Sequence, residues 1–395
     1  VGVTKRAAGK GYFPSVSRVA VDPWIRGLKA ESAAWNEIEA IKEQCDALVR
    51  LGALSRVRVD GGLFEEFPYE GTALYLDRLV SIGKEAPVGS DVTDVLEKIR
   101  GSLLILQKKK FGAPSPYFVV LCADGDKMGK ALSKANSPEQ HRTISGALSD
   151  FASDARTIVR NHRGVCVYTG GDDVLAFLPC DTALPCAREL HDDFGKMLQN
   201  ACPKQGVSDS PTLSVGIAIG HALEDLADLL EWGRDAERRA KADGRKDVER
   251  DGLAVVVRSR GGSAQFVRER WSVAGAENGS RPIDERLRFW ADAYANGELP
   301  FKFGYELRLT AAFYANWTDE NACTSALRKD LARIFERKEI SIPNKDAVLE
   351  EIMQRVSSAK DLERLADELI IGQWISESIG QAKGGSTSAS DDHTA

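Results

Sequence analysis

The feature that most restricts this chain is Gly170-Gly171-Asp172-Asp173, set between two apolar runs, Val165 to Tyr168 and Val174 to Leu178. Apolar runs of strand length on either side of a Gly-Gly turn read as a β-hairpin with its polar residues at the tip. Asp172 and Asp173 therefore project from a rigid turn. Upstream, Phe118 to Cys122 is a continuous apolar run that reads as a buried strand and ends in Asp124-Gly125-Asp126. One helical segment, roughly 138 to 160, separates the two acidic stretches. Strand, helix, hairpin is the first half of a split βαββαβ unit, in which the first strand runs antiparallel to the second hairpin strand. That arrangement brings Asp124 beside Asp172, with Asp126 and Asp173 close by, and so dense a group of carboxylates calls for divalent cations. Gly170 and Gly171 suit such a site, because residues without side chains permit positive φ and let a phosphate approach the backbone.

The second half of the unit follows. A helix is expected from about 182 to 200, then a strand from Thr212 to Gly220 in which Leu213, Val215, Ile217 and Ile219 alternate with small residues. A helix over 223 to 243 comes next, and the apolar strand Leu253 to Val257 is expected to close the sheet. The fold class is α+β: a ferredoxin-like βαββαβ palm flanked by N-terminal and C-terminal helical domains. Directly after the first acidic strand end, the backbone N–H groups of Lys127, Met128 and Gly129 are placed to line a phosphate pocket, with the Met128 side chain packed on the sheet.

Three motifs together, Asp124-Gly125-Asp126-Lys127-Met128-Gly129, Gly170-Gly171-Asp172-Asp173 and the Ser-Val-Gly-Ile-Ala-Ile-Gly-His of 214 to 221, resemble the palm (polymerase-cyclase) domain of the large subunit of type III CRISPR effector complexes. Tyr12-Phe13-Pro14-Ser15-Val16-Ser17-Arg18-Val19-Ala20 is similar to a segment that precedes this palm in the type III-B branch. The resemblance implies a nucleotidyltransferase that makes cyclic oligoadenylate from ATP with two Mg²⁺ (or Mn²⁺) ions. It implies guide RNA paired with target RNA and other type III CRISPR subunits as partners. On the same resemblance Asp172, Asp173 and Asp124 are the catalytic residues, and the metal sits at Asp124, Gly125, Asp172 and Asp173. The nucleotide is expected at Gly125, Asp126, Lys127, Met128, Gly129, Gly170, Gly171, Ser214, Lys241 and Lys246. Ser214 fits an ordinary strand serine equally well, and Lys241 and Lys246 equally fit the cationic C-terminal end that a helix dipole favours.

The resembled subunits have two facing palms, an N-terminal nuclease domain with a His-Asp motif and, often, a zinc-binding insertion. This sequence shows one palm, no Cys-x-x-Cys pair and one adjacent His-Asp pair, His191-Asp192, which reads as a solvated helix pair. Two other readings stand beside the first: a stand-alone palm-type nucleotidyl cyclase, and a non-catalytic scaffold that binds RNA and sister subunits. Asp173-Val174 departs from diguanylate cyclases, which follow the two glycines with Asp or Glu, then Glu, then Phe.

At 395 residues and 43% hydrophobic, the chain can bury more than one core. The expected division is a mainly helical domain at 1–113, the palm at 114–262, a helical domain at 263–380 and a disordered tail at 381–395, with residues 1 to 11 mobile. One N-terminal helix over 22 to 51 is expected to bury Trp24, Leu28, Trp35, Ile38, Ile41 and Leu48, and C-terminal helices are expected near 283–296, 304–317, 322–337 and 345–379. A net charge of −6 carries no overall nucleic-acid signature, and the basic runs at Lys108-Lys109-Lys110 and Arg234 to Lys246 read as solvated helix faces, with local nucleic-acid contacts as the alternative. Seven cysteines without paired spacing argue for reduced thiols, with Cys122 and Cys166 buried in strands, and the absence of a long apolar run or leader pattern implies a cytoplasmic protein without a membrane segment.

Overall fold

The computed structural model describes residues 14–58, 61–88, 91–109, 111–202, 210–241, 250–258, 264–271 and 281–385. Tyr12, Phe13, Lys110 and Lys246, the expected mobile start and residues 386–395 of the expected tail lie outside the described residues. Along the chain come α1 (Val16–Ala20), α2 (Asp22–Lys29), α3 (Ser32–Arg50), α4 (Leu76–Glu85) and α5 (Thr93–Lys108). β1 (Tyr117–Asp126), α6 (Met128–Ser133), α7 (Pro138–Asn161), β2 (Val165–Gly170), β3 (Asp173–Leu178), α8 (Cys180–Ala201) and β4 (Thr212–His221) form the βαββαβ unit, in which α6 is a short extra turn of helix. Then follow α9 (Leu226–Lys241), β5 (Gly252–Val257), β6 (Gln265–Arg270), α10 (Ile283–Ala295), α11 (Phe303–Tyr314), α12 (Glu320–Arg337), α13 (Lys345–Arg355) and α14 (Ala359–Ala382). The fold is α+β, as the strand and helix periodicities require.

The strands form one sheet in the order β2-β3-β1-β4-β5-β6. β1 pairs antiparallel with β3 and with β4, while β5 runs parallel to β4 after the α9 crossover. Val119, Leu121 and Ala123 point to the face covered by α7 and α8, and Phe118, Val120 and Cys122 point to the face covered by α1 and α9. Burial on both faces is why β1 reads as a continuous apolar run. Helix α7 begins where it does because Pro138 occupies its first turn and the Ser137 hydroxyl accepts a hydrogen bond from the Gln140 N–H at 3.3 Å.

Four boundaries differ from expectation. β5 does not close the sheet: β6 pairs with it on the outside. With the sequence Gln-Phe-Val-Arg-Glu-Arg, β6 carries the charges of an edge strand and lacks an apolar run. The expected helix over 22 to 51 is two helices, because Glu31 takes extended backbone between α2 and α3, and Trp35 is only half-buried. The expected helix over 345 to 379 is also two, broken at Val356 and restarted at Ser358, whose side chain accepts from the Asp361 N–H. Finally, α14 runs to Ala382 with Gln381 buried, so the expected tail at 381–395 starts inside a helix. No helix among the described residues is long and apolar enough to cross a membrane.

Candidate active site

The β2–β3 hairpin has a two-residue turn, Gly171-Asp172, with Gly171 at φ +66°. A first turn residue with positive φ is where type II′ hairpins place Gly. In the β1–β3 ladder Ala123 opposes Val174 as the last pair, so Asp124 follows beside Asp173. The carboxylate oxygens of Asp124, Asp172 and Asp173 lie within 4.8 Å of one another, the convergence that the strand-helix-hairpin spacing called for. Gly125 is what lets the two ends meet: a Cβ there would lie 2.7 Å from Asp172 Cβ and from its Oδ2.

Helix α9 brings further charge to the same place. It settles onto the sheet through glycines: a Cβ at Gly216 would overlap the backbone of Ala236 and Glu237, and one at Gly233 would lie 2.7 Å from Val120 Cγ1 and 2.9 Å from Cys122 Sγ. The Lys241 ammonium pairs with Asp124 Oδ2 and with Glu237 Oε1, the latter at 3.1 Å. Burial pushes the Asp172, Asp173 and Glu237 carboxyls up from the ordinary range, and the neighbouring Asp173 charge adds to the rise at Asp172 and Glu237. Burial, with Arg250 adding to it, pulls Lys241 down to about 8, a loss of charge that contact with two carboxylates opposes. Glu237 was not among the expected residues. Its signal was the Glu-to-Lys spacing of four to Lys241, which puts both on one helix face.

The other expected residues separate into two groups. Lys127 takes left-handed backbone at φ 61° and turns the chain into α6; Met128 is buried against the palm core, as expected, and Gly129 is exposed with open space around it. Asp126 and Ser214 lie on the sheet face of Asp124, which Ser214 opposes directly in the β1–β4 ladder. Both are fully buried, and Asp126 Oδ2 accepts from Ser214 Oγ at 2.8 Å, Thr212 Oγ1 at 2.8 Å and the Asp251 N–H at 2.9 Å. These bonds buckle the end of β1 to β4 and to the start of β5, with Arg250 Nη1 3.6 Å from Asp126 Oδ1. Gly170 is likewise not bare, because its side-chain position on this face is filled by the Tyr168 phenol, whereas Gly171 is open. His191-Asp192 is not a merely solvated pair. His191 Nδ1 lies 3.0 Å from Asp192 Oδ1, its Nε2 lies 2.9 Å from Asp251 Oδ1, and its ring rests on Trp271, so it anchors α8 to the start of β5.

The donor set at the cluster is carboxylate oxygen alone, which suits a hard divalent cation such as Mg²⁺ or Mn²⁺. Two of these carboxyls are held back from ionising by burial, and a bound cation relieves that strain.

Residues 117–249 match the family model described as Cas10/Cmr2, second palm domain. The "CRISPR system Cmr subunit Cmr2" of Pyrococcus furiosus is 34% identical over 182 residues, which cover 39% of this chain and 20% of that protein. Its namesake from Saccharolobus solfataricus is 30% identical over 138 residues, 29% of this chain and 13% of that protein. The matched region thus spans a fifth or less of these curated relatives. Among solved structures, the type III-B Cmr-beta complex bound to cognate target RNA includes a chain with a TM-score of 0.49 and 14% identity, covering 87% of this chain and 46% of that one.

Proposed function

We propose, for a chain that belongs to the Cas10/Cmr2 family through the palm at residues 117–249, that it synthesises cyclic oligoadenylate from ATP as part of the large subunit of an RNA-guided type III CRISPR complex. In this reading guide RNA paired with target RNA switches the activity on, and sister subunits hold the chain in place. The observation that carries the proposal is the convergence of the Asp124, Asp172 and Asp173 oxygens within 4.8 Å at the tip of a hairpin.

Asp124, Asp172 and Asp173 are the residues to hold Mg²⁺ or Mn²⁺. Bound there, two such ions would neutralise the triphosphate and acidify an attacking ribose hydroxyl. The chain's own part is positional. The rigid two-residue turn fixes Asp172 and Asp173, and Gly125 keeps the end of β1 against them. Lys241, released from Asp124 when a cation takes its place, is free to pair with phosphate oxygen. Gly171, open on the same turn, exposes backbone to the phosphates.

The test is to give the assembled complex radiolabelled ATP, Mg²⁺ and target RNA, with wild-type chain and with Asp172→Ala/Asp173→Ala. Cyclic product from the wild type and a loss of at least a hundredfold in the variant is expected. Equal product from both would remove the catalytic assignment, and product made without RNA would remove the proposed activation.

A further inference from the structure

Strand β2 contains a register shift. Cys166 opposes Ala176, but Tyr168 opposes Leu175 where an unbroken ladder would put Val167. Such a bulge turns a side chain to the other face of the sheet. Cys166 and Thr169 point toward α7, where Arg156 Nε donates to Thr169 Oγ1 at 2.8 Å, while Tyr168 is turned onto the face of Asp173 and Asp124. Its ring is 53% exposed, although β2 is otherwise packed. The phenol reaches along the strand to the side-chain position of Gly170, which pairs with Asp173, and the hydroxyl has no hydrogen-bond partner among the described residues.

Across the sheet, the site therefore reads as a strip: Tyr168 on β2, Asp173 on β3, Asp124 on β1, then Lys241 from α9. Acceptors occupy the middle, with a donor at each end. A triphosphate lying over the carboxylates and their cations meets Lys241 at one end. At the other, the hydroxyl of Tyr168 is the donor the site provides.

Building on the nucleotidyl-transfer reading above, we propose that Tyr168 is a substrate-binding residue whose phenol hydroxyl donates a hydrogen bond to a phosphate oxygen of the nucleoside triphosphate. The bulge in β2 is the device that aims it.

The test is calorimetric titration of the whole 395-residue chain with Mn²⁺ alone, with a non-hydrolysable ATP analogue plus Mn²⁺, and with inorganic triphosphate plus Mn²⁺, for wild type and Tyr168→Phe. The phenylalanine ring still covers Gly170, so the hairpin stays intact. Expected is a rise of about tenfold in Kd for the analogue and for inorganic triphosphate, with Mn²⁺ affinity unchanged. Equal binding by the two proteins would overturn the assignment. So would a loss confined to the analogue, which would move the contact to the nucleoside. Wild-type chain that binds neither Mn²⁺ nor analogue would instead sink the reading of the whole site.

Discussion

A single methyl group at position 125 is enough to test the site. It would meet Asp172 Cβ and Oδ2 at 2.7 Å, and neither β1 nor a two-residue turn can retreat without breaking its ladder. For Gly125→Ala we expect at least a tenfold loss of nucleotidyl transfer and weaker Mn²⁺ binding, with circular dichroism unchanged. The protonation of the cluster gives a second expectation. Burial raises the folded-state pKa of Asp172, Asp173 and Glu237. A carboxyl raised on folding binds its proton more tightly in the folded chain, so its stabilising contribution is present at low pH and is lost as pH rises through the raised value. Metal-free chain should thus gain relative stability from Asp173→Asn at neutral pH. Metal binding has the opposite sign, since ligation needs the carboxylates ionised. The thermal stabilisation by Mn²⁺ should begin to fade, on acidification, above the ordinary carboxylate range of about 4; a profile centred within that range would contradict the burial of these groups. The three clustered aspartates could be read from the sequence because a hairpin turn and a strand end fix where side chains project. Asp126 and Ser214 could not, since their meeting depends on a cross-strand pairing that spacing alone does not reveal. Tyr168 could not either, because one inserted residue in a strand reverses its face.

At the level of elements, the Gly-Gly-Asp-Asp hairpin is held from behind by an N-terminal charge network. Asp22, fully buried at the start of α2, accepts from Arg163 at 2.8 and 3.1 Å, from Arg26 at 2.8 Å and from Arg18 at 3.3 Å. Arg163, in left-handed backbone at φ 62°, stands two residues before β2. Burial alone would raise the Asp22 carboxyl, but hydrogen bonds from Arg163 and the charges of Arg18, Arg163 and Arg26 hold it below the usual range. Its contribution is therefore present at neutral pH and lost as pH falls through the depressed value. Removing the one carboxylate shared by three guanidinium groups leaves buried charge uncompensated. Asp22→Ala should lower unfolding free energy by about 3 kcal/mol in urea titrations, whereas a change under about 1 kcal/mol would mean that Glu66, 3.3 Å from Arg163, and Asp181, 2.7 Å from Arg26, take over its role. The spacing of four from Arg18 to Asp22 to Arg26 was a readable signal, but Arg163 was not legible as their partner, because it lies 141 residues from Asp22. The βαββαβ core was legible, since its strands are apolar runs bounded by turn residues. β6 was not, because edge strands carry charge, and the break before α14 was missed although Ser358 and Asp361 have capping spacing.

Over the whole molecule, α14 crosses between cores that the sequence reading assigned to separate domains. Leu362, Leu365, Ala366 and Leu369 pack into the C-terminal helical cluster, while Ile370, Ile371, Trp374, Ile375 and Ile379 pack into the cluster beneath the sheet. Glu368, buried at the junction, accepts from Arg286 at 2.9 and 3.2 Å and from Arg355 at 2.5 Å. At the end of the helix Gln381 donates to Ala113 O at 2.9 Å and accepts from the Ser115 N–H at 3.1 Å, just ahead of β1, while Gly27 of α2 lies directly against its backbone. One helix thus touches the N-terminal helices, the palm and the C-terminal helices. Elements joined in this way gain or lose their packing together, so residues 14–113, the sheet and the C-terminal helices should unfold in one transition. Trp374, whose ring lies 4.5 Å from that of Tyr117 at the start of β1, is the place to probe it. Trp374→Ala should cost about 3 kcal/mol. In urea, the midpoint followed by far-ultraviolet circular dichroism and the midpoint for loss of Mn²⁺ binding should shift downward together. If Mn²⁺ binding held at urea concentrations where much of the helical signal had gone, the palm would be a separate cooperative unit and α14 only a surface strap.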